Sequence, residues 1–142
     1  MSDDLYDDHI LDHFESPYHK GRMENPTIAH EDENPLCGDQ VHLELRVDGN
    51  RVVDARWDGH GCAISQAAAS MLTEEIEGKT LDELRDFQAQ KMLDIIRARL
   101  TASRQKCGLL CFKVLKTMIY TLDEKRPRPP SEPSDPSSTG GL

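Results

Sequence analysis

Four cysteines, Cys37, Cys62, Cys107 and Cys111, are the side chains best suited to chemistry in this sequence. None belongs to a Cys-x-x-Cys pair, which disfavours a zinc ribbon or a thioredoxin-like dithiol. Cys37 lies in the turn-rich run Asn34-Pro35-Leu36-Cys37-Gly38-Asp39. In an extended chain, residues two apart project to the same side, so Cys37 and Asp39 can offer a thiolate and a carboxylate to one ion. Cys62 follows Gly59-His60-Gly61, where a strand pattern gives way to a helical one. Free amide N–H groups and the helix dipole at such a start favour the thiolate form. Cys107 opens the apolar part of the last helical stretch. All three positions are expected to present their thiols rather than bury them. Three thiolates and one carboxylate suit tetrahedral zinc or an iron–sulfur cluster. A hard carboxylate oxygen in the fourth position makes such a site easier to open than four thiolates would. That property fits a cluster that is built and handed on.

Other candidates carry plainer readings. Cys111 is four residues beyond Cys107 on the same helical face; it reads as core, with ligation as the alternative. His60 is two residues before Cys62 and could swing to a metal, but its plainer place is a strand end in solvent. His13 is expected to pack or hydrogen-bond within the first helix. Arg104 and Lys106 flank Cys107, where they stabilise its thiolate, pair with Asp39 or stand solvated. Glu74, Glu75 and Glu77 read as the wet face of a helix.

The elements that must position these groups follow from hydrophobic period. Residues Asp3–Glu15 read as an amphipathic helix ended by Ser16-Pro17. A short strand is expected near Thr27–His30. Val41, Leu43, Leu45 and Val47 alternate with polar residues, as do Val53, Ala55 and Trp57, and Asp48-Gly49 between them marks a hairpin. Cys37 precedes the first of these strands and Cys62 follows the second, so antiparallel pairing brings both, with Asp39, to one edge. The period alone does not bring Cys107 there. From Ala63, the residues Ile64, Ala67, Ala68, Met71, Leu72 and Ile76 form a helical stripe that Gly78 ends. Thr80 caps a short helix from Leu81 with Glu83 in the capping-box position. Further helices are expected over Ala89–Leu100 and Ser103–Leu122. The fold class is therefore α+β, a small antiparallel sheet of about three strands packed against several helices. Residues 1–124 read as one domain. Residues 125–142, with five prolines among Ser, Gly and charged residues, have too little apolar surface to offset their ordering entropy and read as a disordered tail.

Composition narrows the partners. The 142 residues carry a formal net charge of −9, which argues against nucleic acid and against an anionic membrane surface. The apolar stretch Cys107–Leu122 is broken by Lys113 and Lys116, so no membrane span is expected. Neither a secretory nor a transit signal is legible at the start, and the cytosol is the expected location. In that reducing compartment the cysteines are read as ligands or reactive thiols rather than disulfides.

The motifs together resemble the U-type iron–sulfur scaffold family, comprising IscU, the N-terminal domain of NifU, and SufU. The matching pieces are Leu5-Tyr6, Asp12-His13-Phe14, Pro17, Gly21 and Asn34-Pro35-Leu36-Cys37-Gly38-Asp39. They continue with Gly59-His60-Gly61-Cys62-Ala63-Ile64-Ser65, Ala69-Ser70-Met71, Gly78-Lys79 and Arg104-Gln105-Lys106-Cys107. They run in order over nearly the whole chain to about Leu122. The resemblance implies a SufE/NifU-like fold in which Cys37, Asp39, Cys62 and Cys107 bind iron, a transient [2Fe–2S] cluster or Zn2+. It implies a cysteine desulfurase as sulfur donor, Cys37 or Cys107 as persulfide acceptor, and apo iron–sulfur proteins as recipients. Lys106 stands where IscU proteins usually carry His, and the Pro-Pro chaperone stretch is missing, which argues against an Hsp70-type partner. The motifs are closest to SufU, but the interval from Cys62 to Cys107 lacks the SufU insertion. The resemblance thus implies a scaffold and carrier rather than an enzyme. A zinc-dependent sulfurtransferase that accepts and relays persulfide is the alternative, and a structural zinc domain stands further off.

Overall fold

Alternation of apolar and polar side chains over residues 41–57 produces the hairpin that orders the rest of the chain. In this computed structural model, residues 8–35, 38–97 and 100–125 are described. The order is α1 (Asp8–Glu15), β1 (Ile28–Asn34), β2 (Asp39–Asp48), β3 (Arg51–His60), α2 (Ala63–Ile76), α3 (Leu81–Arg85), α4 (Ala89–Ile96) and α5 (Ala102–Lys125). The three strands form one antiparallel sheet in the order β1-β2-β3. Asp48 pairs with Arg51, and Gly49 between them has φ 65°, which a two-residue hairpin turn requires at its first central position. β1 is longer than its sequence suggests. Its inward residues Ile28, His30, Asp32 and Asn34 are mostly polar and only half-buried, so the apolar period is faint there.

One face of the sheet, carrying Val41, Leu43, Leu45, Val52, Ala55 and Trp57, is buried against helices. α2 packs on β3 and also between α1 and α5. It therefore buries more than a stripe: Ser65, Ala69, Ser70 and Thr73 are buried along with the expected apolar positions. α5 crosses β1 and β2 and closes the core with Leu110, Cys111, Val114, Leu115 and Met118. α3 begins with the expected capping box, in which Glu83 N–H donates to Thr80 Oγ1 and Thr80 N–H donates to Glu83 Oε1. α4 stops at Ile96 rather than running to Leu100, because Arg97 turns left-handed (φ 59°, ψ 34°) and caps it. Among the described residues no helix is long and apolar enough to cross a membrane.

Two sequence expectations are corrected by packing. His13 packs edge-on against His9 within α1 as expected, but its hydrogen bond leaves the helix: its Nδ1 lies 2.7 Å from Ser70 Oγ on α2, and the same oxygen accepts the Tyr18 N–H at 2.7 Å. Glu77 is not a solvated charge, since Tyr18 donates its hydroxyl to Glu77 Oε1 at 2.7 Å and His19 Nδ1 lies 3.2 Å from Oε2. The indole N–H of Trp57 donates to Tyr18 O. These contacts fasten the segment after α1 across the start of the core.

Ser70→Ala should cost roughly 1–3 kcal/mol, because it leaves the Tyr18 amide and the His13 ring without their shared partner; urea unfolding measures it. His13 is held below its ordinary value, first by burial and then by His9, while Glu74 and Asp12 oppose. The unfolded chain then takes up this proton before the folded chain does. The stability tied to His13 is complete above its ordinary value of 6.5 and falls as pH drops below it toward the folded value. A His13→Asn variant should show a shallower loss of urea midpoint between about pH 7 and about pH 5.

Candidate metal centre

The edge of the sheet where β2 begins and β3 ends meets the N-terminus of α2. Asp39, the first residue of β2, is fully buried. Its Oδ1 accepts the backbone N–H of Cys62 at 2.8 Å, and the Cys62 thiol donates to its Oδ2 at 3.6 Å. Cys62 occupies the N-cap of α2 in an extended conformation (φ −72°, ψ 163°), and its side chain makes no capping bond, which leaves the sulfur directed to the carboxylate. Ser65 Oγ instead donates to Cys62 O, and Gln66 Nε2 donates to Gly61 O, fixing the turn from behind.

Glycine at 61 is what permits this approach. Gly61 has φ 132°, and a Cβ there would stand 2.1 Å from Asp39 Oδ1 and 2.7 Å from Asp39 Cα. Gly59 is constrained in the same way, since a Cβ would stand 2.2 Å from Gln40 O on the paired strand. The two glycines of Gly59-His60-Gly61 are thus a requirement for contact between β2 and the chain entering α2.

Cys107 reaches this corner from the second turn of α5. It is 1% exposed, contrary to the expectation that its thiol is presented. The next residue, Gly108, faces the end of α4, where a Cβ would come within 2.8 Å of the flexible tip of Ile96. One ligand atom each from Asp39, Cys62 and Cys107 lie within 4.8 Å of one another. A tetrahedral ion about 2.3 Å from sulfur and about 2.0 Å from oxygen has ligand atoms roughly 3.5–3.8 Å apart. The observed trio therefore fits such an ion after a small inward movement. The donor set, two soft sulfurs and one hard oxygen, also suits it. Cys37, the fourth residue expected here, lies outside the described residues.

The remaining candidates separate clearly. Cys111 is fully buried one turn beyond Cys107, its thiol donates to Gly108 O at 3.7 Å, and burial pushes it up to about 12. It is a neutral core thiol and is not in the trio. His60 is exposed and also stands apart from the trio. Lys106 is exposed and lines a neighbouring groove, and Arg104 is half-exposed. A second grouping that the sequence did not suggest joins His19, Asp54 and Glu77. His19 Nδ1 lies 2.9 Å from the Ala55 carbonyl, which can only accept, so this nitrogen carries a proton and donates. Arg56 Nε reaches Asp54 at 3.3 Å. These contacts make a polar latch rather than a set of open ligands.

The comparisons agree with this architecture. Residues 5–128 match the family described as NifU-like N terminal domain. The chain is 31% identical over 131 residues to the iron–sulfur cluster assembly scaffold protein IscU of Thermotoga maritima, spanning 81% of this chain and 92% of that protein. It is 44% identical over 80 residues to the zinc-dependent sulfurtransferase SufU of Bacillus subtilis, an alignment that spans 56% of this chain and 54% of that protein. A crystal structure from Fervidobacterium islandicum, described as a candidate iron–sulfur cluster assembly scaffold of the SUF system, superimposes with TM-score 0.73 at 30% identity. It covers 84% of this chain and 99% of its own.

Gly61→Ala should displace Asp39 from the Cys62 amide. A hydrogen bond to a charged group is worth about 1.5–3 kcal/mol, so exchange of the Cys62 amide with solvent should quicken by about 10- to 100-fold while the α5 core amides stay protected. Hydrogen exchange followed by NMR measures both.

Proposed function

The chain belongs to the NifU-like N terminal domain family, and from that premise we propose that it is an iron–sulfur cluster assembly scaffold. In this reading Cys37, Cys62 and Cys107 supply thiolates and Asp39 supplies the fourth, harder ligand. The observation that supports it best is the approach of Asp39, Cys62 and Cys107 to within 4.8 Å at one corner of the fold. The cargo is iron and sulfur assembled as a [2Fe–2S] cluster, the persulfide sulfur being reduced to sulfide by electrons from ferrous iron and an external thiol or electron-donor protein, and the cluster later passes to apo-proteins.

The residues divide the work. Sulfur arrives as a persulfide on a donor, for which a cysteine desulfurase is the proposed partner. A thiolate of this chain attacks the terminal sulfur, the donor S–S bond breaks, and the donor leaves as a thiolate. Cys37 and Cys107 are the proposed acceptors. The 1% exposure of Cys107 favours Cys37 as the first of them. Asp39 has one oxygen engaged by the Cys62 amide and the other facing the sulfur, so it offers a single oxygen to iron. One hard ligand among soft ones is the weak point through which the cluster leaves. Cys111, neutral and enclosed, takes no part.

A zinc-dependent sulfurtransferase is the second reading, favoured by the 44% identity to SufU. The same trio fits zinc, which when bound would keep the thiolates deprotonated.

Anaerobic purification, metal analysis and addition of ferrous iron, a cysteine desulfurase and cysteine separate the two. The scaffold predicts a visible sulfur-to-iron charge-transfer spectrum that moves to an added apo-ferredoxin. Cys62→Ser and Cys107→Ser should each reduce the spectrum by about 10-fold or more, in line with loss of a metal ligand, and Cys111→Ala should leave it intact. Retained zinc with a persulfide on one cysteine and no such spectrum would overturn the scaffold in favour of the sulfurtransferase.

A further inference from the structure

The two edges of the sheet differ. Along β3, Trp57 N–H donates to His19 O and Gly21 N–H donates to Trp57 O, while Val52 N–H donates to Lys79 O and Gly78 N–H donates to Val52 O. Along β1, among the described residues, no backbone bond reaches the outer side of Ala29 or Glu31. Glu33 shows which way these groups point, since its N–H donates to Asp32 Oδ1 at 2.8 Å rather than to a β2 carbonyl. The backbone groups of a strand alternate in direction, so the N–H and C=O of Ala29 and Glu31 point outward as well. We propose that this edge is a docking site for an extended segment of a partner protein, in which Lys or Arg alternates with apolar residues and which adds a fourth strand beside β1.

In such a docking, main-chain bonds supply the affinity and alternate side chains select the partner. The two faces of β1 define the alternation. Ala29, Glu31 and Glu33 are exposed on one face. A residue of the added strand on that face meets Glu31 or Glu33, and opposite charges across paired strands stabilise the pair. Ile28, His30 and Asp32 are half-buried on the other face, toward α5. There the end of β1 and α5 line a groove of about 720 Å³ that includes Leu109, Phe112, Lys106 and Lys113. Lys113 is held at β1 by Asp32, 3.1 Å away. Apolar side chains suit the wall of Leu109 and Phe112, and the two lysines disfavour cationic ones. The added strand is therefore basic on its outer face and apolar on its inner one.

Charge also rules on the alternatives. A second copy of β1 would set Glu31 and Glu33 against the same acidic residues, and like charges on paired strands are destabilising. The net charge of −9 draws a basic partner instead. β1 ends at Asn34, which pairs with Asp39, so a segment docked on this edge leads its owner to the candidate metal corner. The docking itself does not depend on what the cysteines bind.

NMR of the isotope-labelled full chain, titrated with the peptide Lys-Val-Lys-Val-Lys-Val-Lys, tests this. Without peptide, the Ala29 and Glu31 amides should exchange with solvent about 10-fold or more faster than that of Leu43 on β2. Saturating peptide should slow both by about 10-fold or more and leave the α5 amides unchanged. Ala29→Pro removes an outward donor and keeps the β2 ladder, so it should abolish the protection of Glu31 with little change in the urea midpoint. Glu33→Lys should weaken binding of this peptide by about 3- to 10-fold, and a Glu-Val peptide of the same length should bind that variant better than the unaltered chain. The absence of protection at Ala29 and Glu31 up to about 1 mM peptide would overturn the proposal. Equal binding of the Lys and Glu peptides by the unaltered chain would do the same. Slow exchange of these two amides before any peptide is added would also overturn it, because another segment of the chain or a second copy would then occupy the edge.

Discussion

The hydrogen bond from the Cys62 amide to Asp39 joins the start of β2 to the start of α2, and the candidate metal corner is built on it. It is a contact between a buried carboxylate and a helix N-cap, where a free N–H and the helix dipole both favour negative charge. Burial of an acid at 0% exposure is costly unless it is hydrogen-bonded, so the bond and the burial depend on each other. The same bond leaves one Asp39 oxygen facing the Cys62 sulfur. Gly61 is the enabling residue, since any side chain there would occupy the space of the carboxylate.

The rest of the fold holds this corner in place from a distance. The β2–β3 ladder carries Gln40 opposite His60 and so fixes where Asp39 and the Gly-rich entry to α2 meet. α2 is covered by α1, α5 and the sheet, which is why polar residues such as Ser70 and Thr73 are buried with partners rather than left facing solvent. α5 brings Cys107 in from the other side. Of the three candidate ligands Asp39, Cys62 and Cys107, only Cys107 belongs to the buried apolar core. Loss of a bound ion should therefore leave the core in place, which suits a site that is filled and emptied.

Much of this was legible in the sequence where the signals are local. The hairpin, the capping box at Thr80 and the convergence of Asp39 with Cys62 follow from alternation, turn residues and antiparallel pairing; the alternation fails at Val53, which a bulge opposite Arg46 and Val47 turns to solvent while Val52 faces the core. The place of Cys107 is not legible, because it depends on how α5 crosses the sheet. The bond between His13 and Ser70, and that between Tyr18 and Glu77, join residues more than fifty positions apart, and no spacing rule announces them. β1 was underestimated for the opposite reason: its half-buried face is polar, so hydrophobic period does not mark it.

In the proposed site one ion, or one iron of a cluster, is held by cysteine sulfur together with the carboxylate of Asp39. X-ray absorption at the metal edge of the loaded full chain measures the nearest shell directly. Sulfur at about 2.3 Å with one oxygen at about 2.0 Å is expected, with loss of that oxygen in Asp39→Ala. A shell unchanged by Asp39→Ala, or one that loses sulfur when Cys111 rather than Cys62 is replaced, would contradict it.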